Sequence, residues 1–286
     1  MKKFFALLMI CALCLVTGCG GGAGGDDKKP ADDAGKIKLG MITRLNASEE
    51  NFGEFMKQIE ETLNVKIASH KPIFFDSLNA MQMALQSKQI DEISTYRSVA
   101  RYMIAKDPHF EVLKDHSLEF VDSFCFALRE DDTELKDSLN AVIKEMQDDG
   151  TLDRLTKEYI TDIKADNDPP AVELPHFDNA PAIKVAVTGD LPPLDFVSAD
   201  GKPAGFNTAV LAEIANRMMR NIELVQVESG ARAAALTSKQ ADVVFWAIVP
   251  VSEIIPEDSD KPDGIALTSP YFKDKIVHMV FKAEEK

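Results

Sequence analysis

Residues that could perform acid–base, metal or nucleophilic chemistry are scattered along this chain of 286 residues. No two of the five histidines have the spacing of two metal ligands on one helix face. The chain also lacks a glycine-rich phosphate loop of the Walker type and a serine within a Gly-x-Ser-x-Gly elbow. We therefore expect no catalytic residues, no cofactor and no metal site. The histidines are His70, His109, His116, His176 and His278.

The first cysteines lie in a segment with the pattern of an export signal. Met1-Lys2-Lys3 is positively charged, and the apolar run Phe4–Val16 is shorter than the ~20 residues that a membrane-spanning helix needs. The run ends in Val16-Thr17-Gly18-Cys19, which resembles the bacterial lipobox, where the cysteine carries the lipid and becomes the first mature residue. Residues 1–18 are therefore predicted to be a lipoprotein signal peptide, with a plain secretory signal as the alternative.

Composition excludes several other classes of function. The chain has 32 Lys and Arg residues against 47 Asp and Glu residues, a net charge of −15, which argues against binding of nucleic acid. Its 45% hydrophobic residues are enough for an ordinary core. Cys125 lies in the apolar run Phe124–Leu128, a pattern that favours a buried structural thiol over a nucleophile.

The rest of the chain is predicted to form two α/β regions joined by a linker. Residues 19–35 are rich in glycine and charge, as in a flexible tether. Strand and helix patterns alternate over residues 36–160 and again from residue 183, which favours an α/β fold with parallel sheets. Residues 161–182 are rich in proline and are predicted to be the linker.

Capping patterns and apolar periodicity predict individual elements. Helices are expected over Asn46–Leu63, Asp76–Ser87 and Asn207–Met219, with the first residue of each acting as the N-cap. The last strand is expected over Ile276–Phe281.

Four segments of the C-terminal half resemble extracellular solute-binding proteins of the polar amino-acid type, family 3. The segments are Val185–Phe196, Asp200–Asn207, Ala235–Val244 and Ser269–Phe272, and they follow the order found in that family. The resemblance implies a two-lobed α/β fold of the type II periplasmic-binding-protein class, with a ligand cleft between the lobes.

The N-terminal half resembles the other lobe of the same family, which makes the chain look circularly permuted. Ser77–Asp91, Leu135–Asn140 and Asp149–Asp153 are similar to segments that come last in the family. The resemblance implies a second-lobe-like domain at 36–124, helices at 125–160 that pack on the first lobe, and a first-lobe-like domain at 183–286. Permutation requires the two ends of the mature fold to lie close together; two incomplete modules that complete each other between chains are the alternative.

The family's usual ligand contacts are replaced in this sequence. Amino-acid binders of the family hold the ligand carboxylate with an arginine of the first lobe and the amino group with an aspartate of the second. Val249–Glu257, where that arginine is expected, contains none, and Tyr96 stands where the aspartate is expected. Arg44-Leu45-Asn46 replaces a Gly-Thr pair, and Leu191 replaces an aromatic residue. These replacements argue against an ordinary α-amino acid as the ligand.

Candidate ligand contacts are the polar and aromatic residues expected near the cleft. Six of them have an alternative role: core packing for Trp246, a solvated position for Arg44, Arg97, Tyr96 and Arg232, and a turn for Asp190. The candidates are Asp190, Leu191, Trp246, Arg232, Arg44, Asn46, Tyr96 and Arg97.

The resemblance implies a non-enzymatic, lipid-anchored protein outside the bacterial cytoplasmic membrane. It would capture a small polar solute, an amino acid or a related compound, and deliver it to the membrane subunits of an ABC importer. The alternatives are a signalling or interaction protein whose site is lost or altered, and a small-molecule dehydratase on the same fold.

Overall fold

A computed structural model describes residues 35–64, 70–114, 120–163, 167–251 and 257–282. These residues belong to one compact unit that begins at Gly35. The predicted signal peptide, Cys19 and most of the tether lie outside the described residues, as do His116 and the middle of the segment Val249–Glu257.

Strands and helices alternate along the described chain. The strands are β1 (Ile37–Ile42), β2 (His70–Phe75), β3 (Glu92–Tyr96), β4 (Phe110–Val112), β5 (Val121–Arg129), β6 (Ala182–Val187), β7 (Asp190–Leu191), β8 (Asp195–Val197), β9 (Pro203–Ala204), β10 (Asn221–Gln226), β11 (Val243–Pro250), β12 (Ile265–Leu267) and β13 (Phe272–Phe281). The helices are α1 (Glu49–Leu63), α2 (Leu78–Gln86), α3 (Arg97–Lys106), α4 (Thr133–Asp148), α5 (Thr151–Thr156), α6 (Phe206–Met218) and α7 (Arg232–Thr237).

The strands form one large curved sheet and one small sheet. The large sheet has the order β10-β6-β11-β5-β13-β3-β1-β2, with β12 beside β5 and β4 beside β13. We call the part built on β6, β10 and β11 lobe one, and the part built on β1, β2 and β3 lobe two. The predicted α/β fold is confirmed, but the expectation of parallel sheets is only partly right. Pairs within each lobe are parallel, whereas β5 and β13 pair antiparallel with their neighbours.

Strands β5 and β13 connect the two lobes. The first half of β13 pairs with β5 and its second half with β3, so β13 carries the chain from lobe one to lobe two. At this point Val121 of β5 lies opposite Lys275 of β13, and Asp122 lies opposite Asp274. The two connections therefore lie side by side, as in a two-strand hinge.

The two ends of the described fold lie at the same edge of lobe two. Strand β1 runs parallel to β3, with Leu39 opposite Glu92, and β13 runs antiparallel to β3, with Met279 opposite Ile93. The start of β1 and the end of β13 are therefore separated by one strand, which is roughly 10 Å.

Helix caps differ from the predicted ones in three places. Helix α1 is capped by the Ser48 hydroxyl and not by Asn46, and α2 by Ser77 and not by Asp76. Asn207 lies inside α6, which begins after Gly205 at a φ of 92°. A Cβ atom at Gly205 would lie 2.7 Å from the carbonyl oxygen of Pro193, so only glycine fits this turn.

The core extends through both lobes and the hinge strands. Helices α4 and α5 pack against α6, where Arg217 bonds to Asp149 and Arg154 bonds to Glu213. Cys125 is buried and free, and burial raises the pKa of its thiol to about 12. A thiol with this pKa stays protonated at neutral pH, in keeping with a structural role.

Candidate functional site

A small cavity lies between the lobes, at the ends of β1, β3 and β11. Its volume is about 20 Å³, which is roughly the space that one bound water needs. Its walls hold four of the eight candidate residues and five others. They are Met41, Ile42, Arg44, Ser94, Thr95, Tyr96, Leu191, Trp246 and Ile276.

Arg232 of α7 stacks on Trp246, which lines the cavity, and is 1% exposed. Its guanidinium donates to the carbonyl oxygens of Ser229 at 3.1 Å and Trp246 at 2.9 Å within lobe one, and to that of Thr43 in lobe two at 3.0 Å. Burial lowers the pKa of Arg232 to about 10, so the side chain is still charged at neutral pH. The alternative of a solvated helix position is wrong, because this arginine ties the two lobes together from inside.

Trp246 is the stacking partner of Arg232. The guanidinium carbon lies 4.3 Å from the centre of the indole ring, a cation–π arrangement. Trp246 has a φ of 65° within a register shift of β11, which turns its side chain out of the regular strand alternation. Its buried Nε1 atom has no hydrogen-bond partner among the described residues. The ring therefore lines the cavity with an unused donor.

Arg44 enters the cavity from lobe two. Its Nη2 atom lies 3.1 Å from Oδ2 of Asp122, which also accepts a hydrogen bond from the Tyr96 hydroxyl at 3.0 Å. Burial is the largest single influence and would lower the pKa of Arg44, but Asp122, Tyr96 and Asp260 together outweigh it and hold this pKa above its usual value. Burial raises the pKa of Tyr96, so its hydroxyl stays a donor.

Asp260 is a buried carboxyl group at the same junction. Oδ1 accepts a hydrogen bond from the backbone N–H of Asn46 at 3.0 Å, while Oδ2 has no partner within the described part of the chain. Burial raises the pKa of Asp260 to about 6, even though Arg44 and Arg232 act in the opposite direction. The Asp260 carboxyl group is therefore a hydrogen-bond acceptor whose negative charge is only partly balanced by Arg44 and Arg232.

Two further hydrogen bonds hold the lobes closed near the helix starts. Asp190 of lobe one accepts from the backbone N–H of Leu78, at the N-terminus of α2, at 3.0 Å. Asp76 of lobe two accepts from the backbone N–H of Gly230 at 2.9 Å. Each lobe thus supplies a carboxylate to backbone donors of the other, at positions where the donors are otherwise unpaired.

The structure brings seven of the eight candidates to the interface between the lobes. Arg97 is the exception, since it is exposed at the first turn of α3. Asp122 and Asp260 were missed by sequence reasoning. A single carboxylate at the start of the apolar strand β5 was a usable signal for Asp122. Asp260 had no such signal, because it lies in an acidic, proline-containing segment.

The C-terminal part of the chain matches a known protein family. Residues 183–285 match the bacterial extracellular solute-binding proteins, family 3. We call these matched residues the family 3 segment. The match covers just over a third of the chain and includes Arg232, Trp246 and Asp260. The resemblance read from the sequence is confirmed for this family 3 segment.

Solved structures with a similar fold also include solute-binding proteins. One is the ligand-binding component of an ABC-type import system from Staphylococcus aureus, solved with zinc bound. It has 10% identity and a TM-score of 0.41, and the alignment covers 86% of this chain and 65% of that one. Another is the GluR0 ligand-binding core from Nostoc punctiforme in complex with L-glutamate, with 10% identity, a TM-score of 0.37 and coverages of 86% and 84%.

A third similar structure is a nutrient-binding protein from Burkholderia cenocepacia bound to methionine, with 12% identity, a TM-score of 0.39 and coverages of 86% and 84%. No curated protein matches the chain. Among the described residues, no helix has both the length and the apolar character needed to cross a bilayer.

Proposed function

We propose that this protein captures a small polar solute between its lobes and delivers it to an ABC importer. It does so outside the cytoplasmic membrane, held there by a lipid on Cys19. One observation carries the proposal. Buried charged groups from both lobes meet beside one cavity, and part of the wall of this cavity belongs to the family 3 segment.

The chemistry of the cavity suits a zwitterion or another small molecule with both donors and acceptors. Arg232 and Arg44 supply positive charge, while Asp260 and Asp122 supply acceptors. Asp260 Oδ2 and Trp246 Nε1 have no partner among the described residues, and a bound solute would give them one. Desolvated groups of both signs are what recognition of a small polar molecule needs.

Solute entry requires the lobes to open. The closed cavity holds about one water, so a solute must displace contacts that the lobes now make with each other. Opening would break the bonds from Arg232 to Thr43, from Asn46 to Asp260, from Leu78 to Asp190 and from Gly230 to Asp76, among others. The adjacent strands β5 and β13 supply the hinge for this movement.

Lipid anchoring and the importer rest on the sequence pattern around Cys19 and on the role that the family implies. A single acyl chain binds membranes weakly, but the two or three chains of a lipoprotein cysteine anchor stably. The test is metabolic labelling with a palmitate analogue in a bacterial host, where Cys19→Ser should abolish labelling and Cys125→Ser should leave it intact.

A second candidate is an interaction protein whose cleft no longer binds solute. The small size of the cavity favours it, because Arg232 and Trp246 stack on each other and occupy much of the space between the lobes. The two candidates differ in one measurable property, which is whether a small molecule stabilises the protein.

The test is a thermal-shift screen of the purified full chain against amino acids, organic acids, short peptides and sugars. A solute at a hundred times its dissociation constant adds about 2.7 kcal/mol, which raises the melting temperature by roughly 5–10 °C in a chain of this size. Each hit is repeated with Arg44→Gln, and with Arg101→Gln as a matched control on the exposed face of α3.

Transport of a solute predicts a hit that Arg44→Gln weakens at least tenfold and Arg101→Gln leaves unchanged. A flat result from a protein that unfolds cooperatively would overturn the solute-binding proposal in favour of the interaction role. A hit that both variants bind equally well would place the solute outside this cleft.

A further inference from the structure

A second group of polar side chains lies on lobe two, away from the cleft. His70, Glu92 and His278 each offer one ligand atom, and these three atoms lie within 4.8 Å of one another. Their side chains are 8%, 12% and 18% exposed, so the group is nearly covered but still open to small ions. The chain order separates Glu92 and His278 by 186 residues, so only the fold brings them together.

Strand register places all three side chains on the same face of the sheet. His70 lies opposite Ile37, and Glu92 lies opposite Leu39, two residues further along β1. His278 lies opposite Ser94, two residues after Glu92 on β3. Side chains two residues apart on a strand share a face, so the three donors lie on the same face of the sheet, along a diagonal across its strands.

The distances within the group fit a metal ion after small side-chain shifts. Nδ1 of His278 lies 2.9 Å from Oε2 of Glu92, and Nε2 of His70 lies 4.0 Å from the same oxygen. Two ligand atoms at the usual 2.0–2.1 Å from a tetrahedral zinc ion are about 3.3 Å apart. The two observed distances lie on either side of this value.

We propose that His70, Glu92 and His278 bind a divalent transition-metal ion of the zinc class. Two imidazoles and one carboxylate are the donors that zinc accepts, whereas magnesium and calcium prefer oxygen ligands only. The ion would take the place of the hydrogen bond between Nδ1 of His278 and Oε2 of Glu92, with the proton of the neutral imidazole on Nε2, and a water would complete the fourth position. Local spacing rules missed this site, because its donors come from three different strands.

None of the three proposed ligands lines the cavity, although Ser94, which lies opposite His278, does. His70 and Glu92 begin β2 and β3, whereas Tyr96, at the end of β3, lines the cavity. Tyr96 lies four positions after Glu92 on the same strand, which places the two residues about 13 Å apart. The bound ion ties the last strand, β13, to β3 and β2, and so stabilises lobe two directly.

The test measures zinc binding by calorimetry and zinc-dependent melting of the purified, metal-stripped full chain. We expect one ion per chain at this site and a melting temperature raised by at least about 4 °C at saturating zinc. His278→Ala and Glu92→Gln should each weaken binding at least a hundredfold, and His176→Ala should not. His176 is the matched control because its side chain is 79% exposed and distant in sequence from the three strands.

Thiol binding and misfolding are controlled within the same series. Every variant keeps the four cysteines, so zinc bound through thiols would be equal in all of them. Each variant is compared with its own metal-free melting curve, which separates loss of folding from loss of the site. Equal zinc stabilisation in wild type, His278→Ala and Glu92→Gln, or no zinc stabilisation in a folded wild type, would overturn the proposal.

Discussion

The two walls of the cleft are built differently. On the lobe-one side, Arg232 and Trp246 are 1% and 4% exposed, and Arg232 makes most of its hydrogen bonds to carbonyl oxygens of its own lobe. On the lobe-two side, the Arg44 side chain is 24% exposed and its carboxylate partner is on a hinge strand. We therefore expect lobe one to hold its wall ready in both the open and the closed state, and lobe two to complete its wall only on closure.

This difference matches the distribution of the family signal. The preassembled wall lies in the family 3 segment, and the wall completed by closure lies outside it. A binding protein of this design keeps one rigid half-site and moves the other half onto the solute, which reduces the ordering cost of each binding event.

Arg232→Met should be the most destabilising change in the cleft. It removes a buried charge that satisfies carbonyl oxygens in both lobes and stacks on Trp246. We expect a loss of about 3 kcal/mol in the free energy of unfolding, measured by urea denaturation. Arg101→Met, on an exposed helix face, is the control and should change stability by less than about 0.5 kcal/mol. A loss below about 1 kcal/mol at Arg232 would contradict a preassembled wall.

Arg44→Met should cost less, about 1–2 kcal/mol, because water already reaches part of this ion pair. The double variant Arg44→Met/Asp122→Asn should be more stable than the sum of the two single losses predicts, since the two side chains bond to each other. Strict additivity in the double-mutant cycle would mean that the Asp122 carboxylate draws its support from Tyr96 and not from Arg44.

Asp260 should make stability depend on pH between about 4 and 6. Its pKa is about 6 in the folded protein against 3.8 unfolded, so the folded state binds more protons in this range. Its contribution to stability is fully present below pH 3.8 and is lost as pH rises through about 6. The charged neighbours that set this balance are Arg44, Arg232 and Asp122.

Asp260→Asn should therefore change the pH profile. The wild type should lose about 1–3 kcal/mol relative to the variant as pH rises from 4 to 7, measured by urea denaturation at each pH. Taking the difference between the two proteins cancels the carboxyl groups that titrate in both. Parallel profiles for the wild type and Asp260→Asn would show that Asp260 is solvated in solution.

Asp190→Ala and Asp76→Ala should have the smallest effects, each about 1 kcal/mol or less, because each removes one hydrogen bond between the lobes. Both should favour opening. The single tryptophan, Trp246, is nearly buried, so acrylamide quenching of its fluorescence reports on opening. We expect faster quenching in both variants and no change in Asp178→Ala, whose side chain is 96% exposed.

Local patterns predicted most of the elements and the family of the C-terminal part. Alternation of strands and helices and the motif ending in Gly205-Phe206-Asn207 depend on short-range sterics, such as the glycine that alone fits against Pro193. Helix starts were less predictable, because several residues near each start can cap it. Ser48 and Ser77 act as caps where Asn46 and Asp76 were expected, and Asn46 and Asp76 instead bond across the cleft.

The contacts that define the cleft and the proposed metal site depend on long-range packing. Arg232 bonds to backbone carbonyls, which every residue has, so no side-chain pattern marks its partners. The permuted chain order remains a prediction, supported by the positions of β1 and β13 at one edge of lobe two.

By itself, the sequence determined an acidic, lobed α/β protein with a family 3 segment and a cysteine suited to lipidation, because composition, periodicity and short motifs are local properties. Only the tertiary structure decided that buried arginines make contacts within the closed cleft. It also decided that two histidines and a glutamate from three strands meet on one face of the sheet. Such convergence depends on strand register and lobe closure, which join residues far apart in the chain.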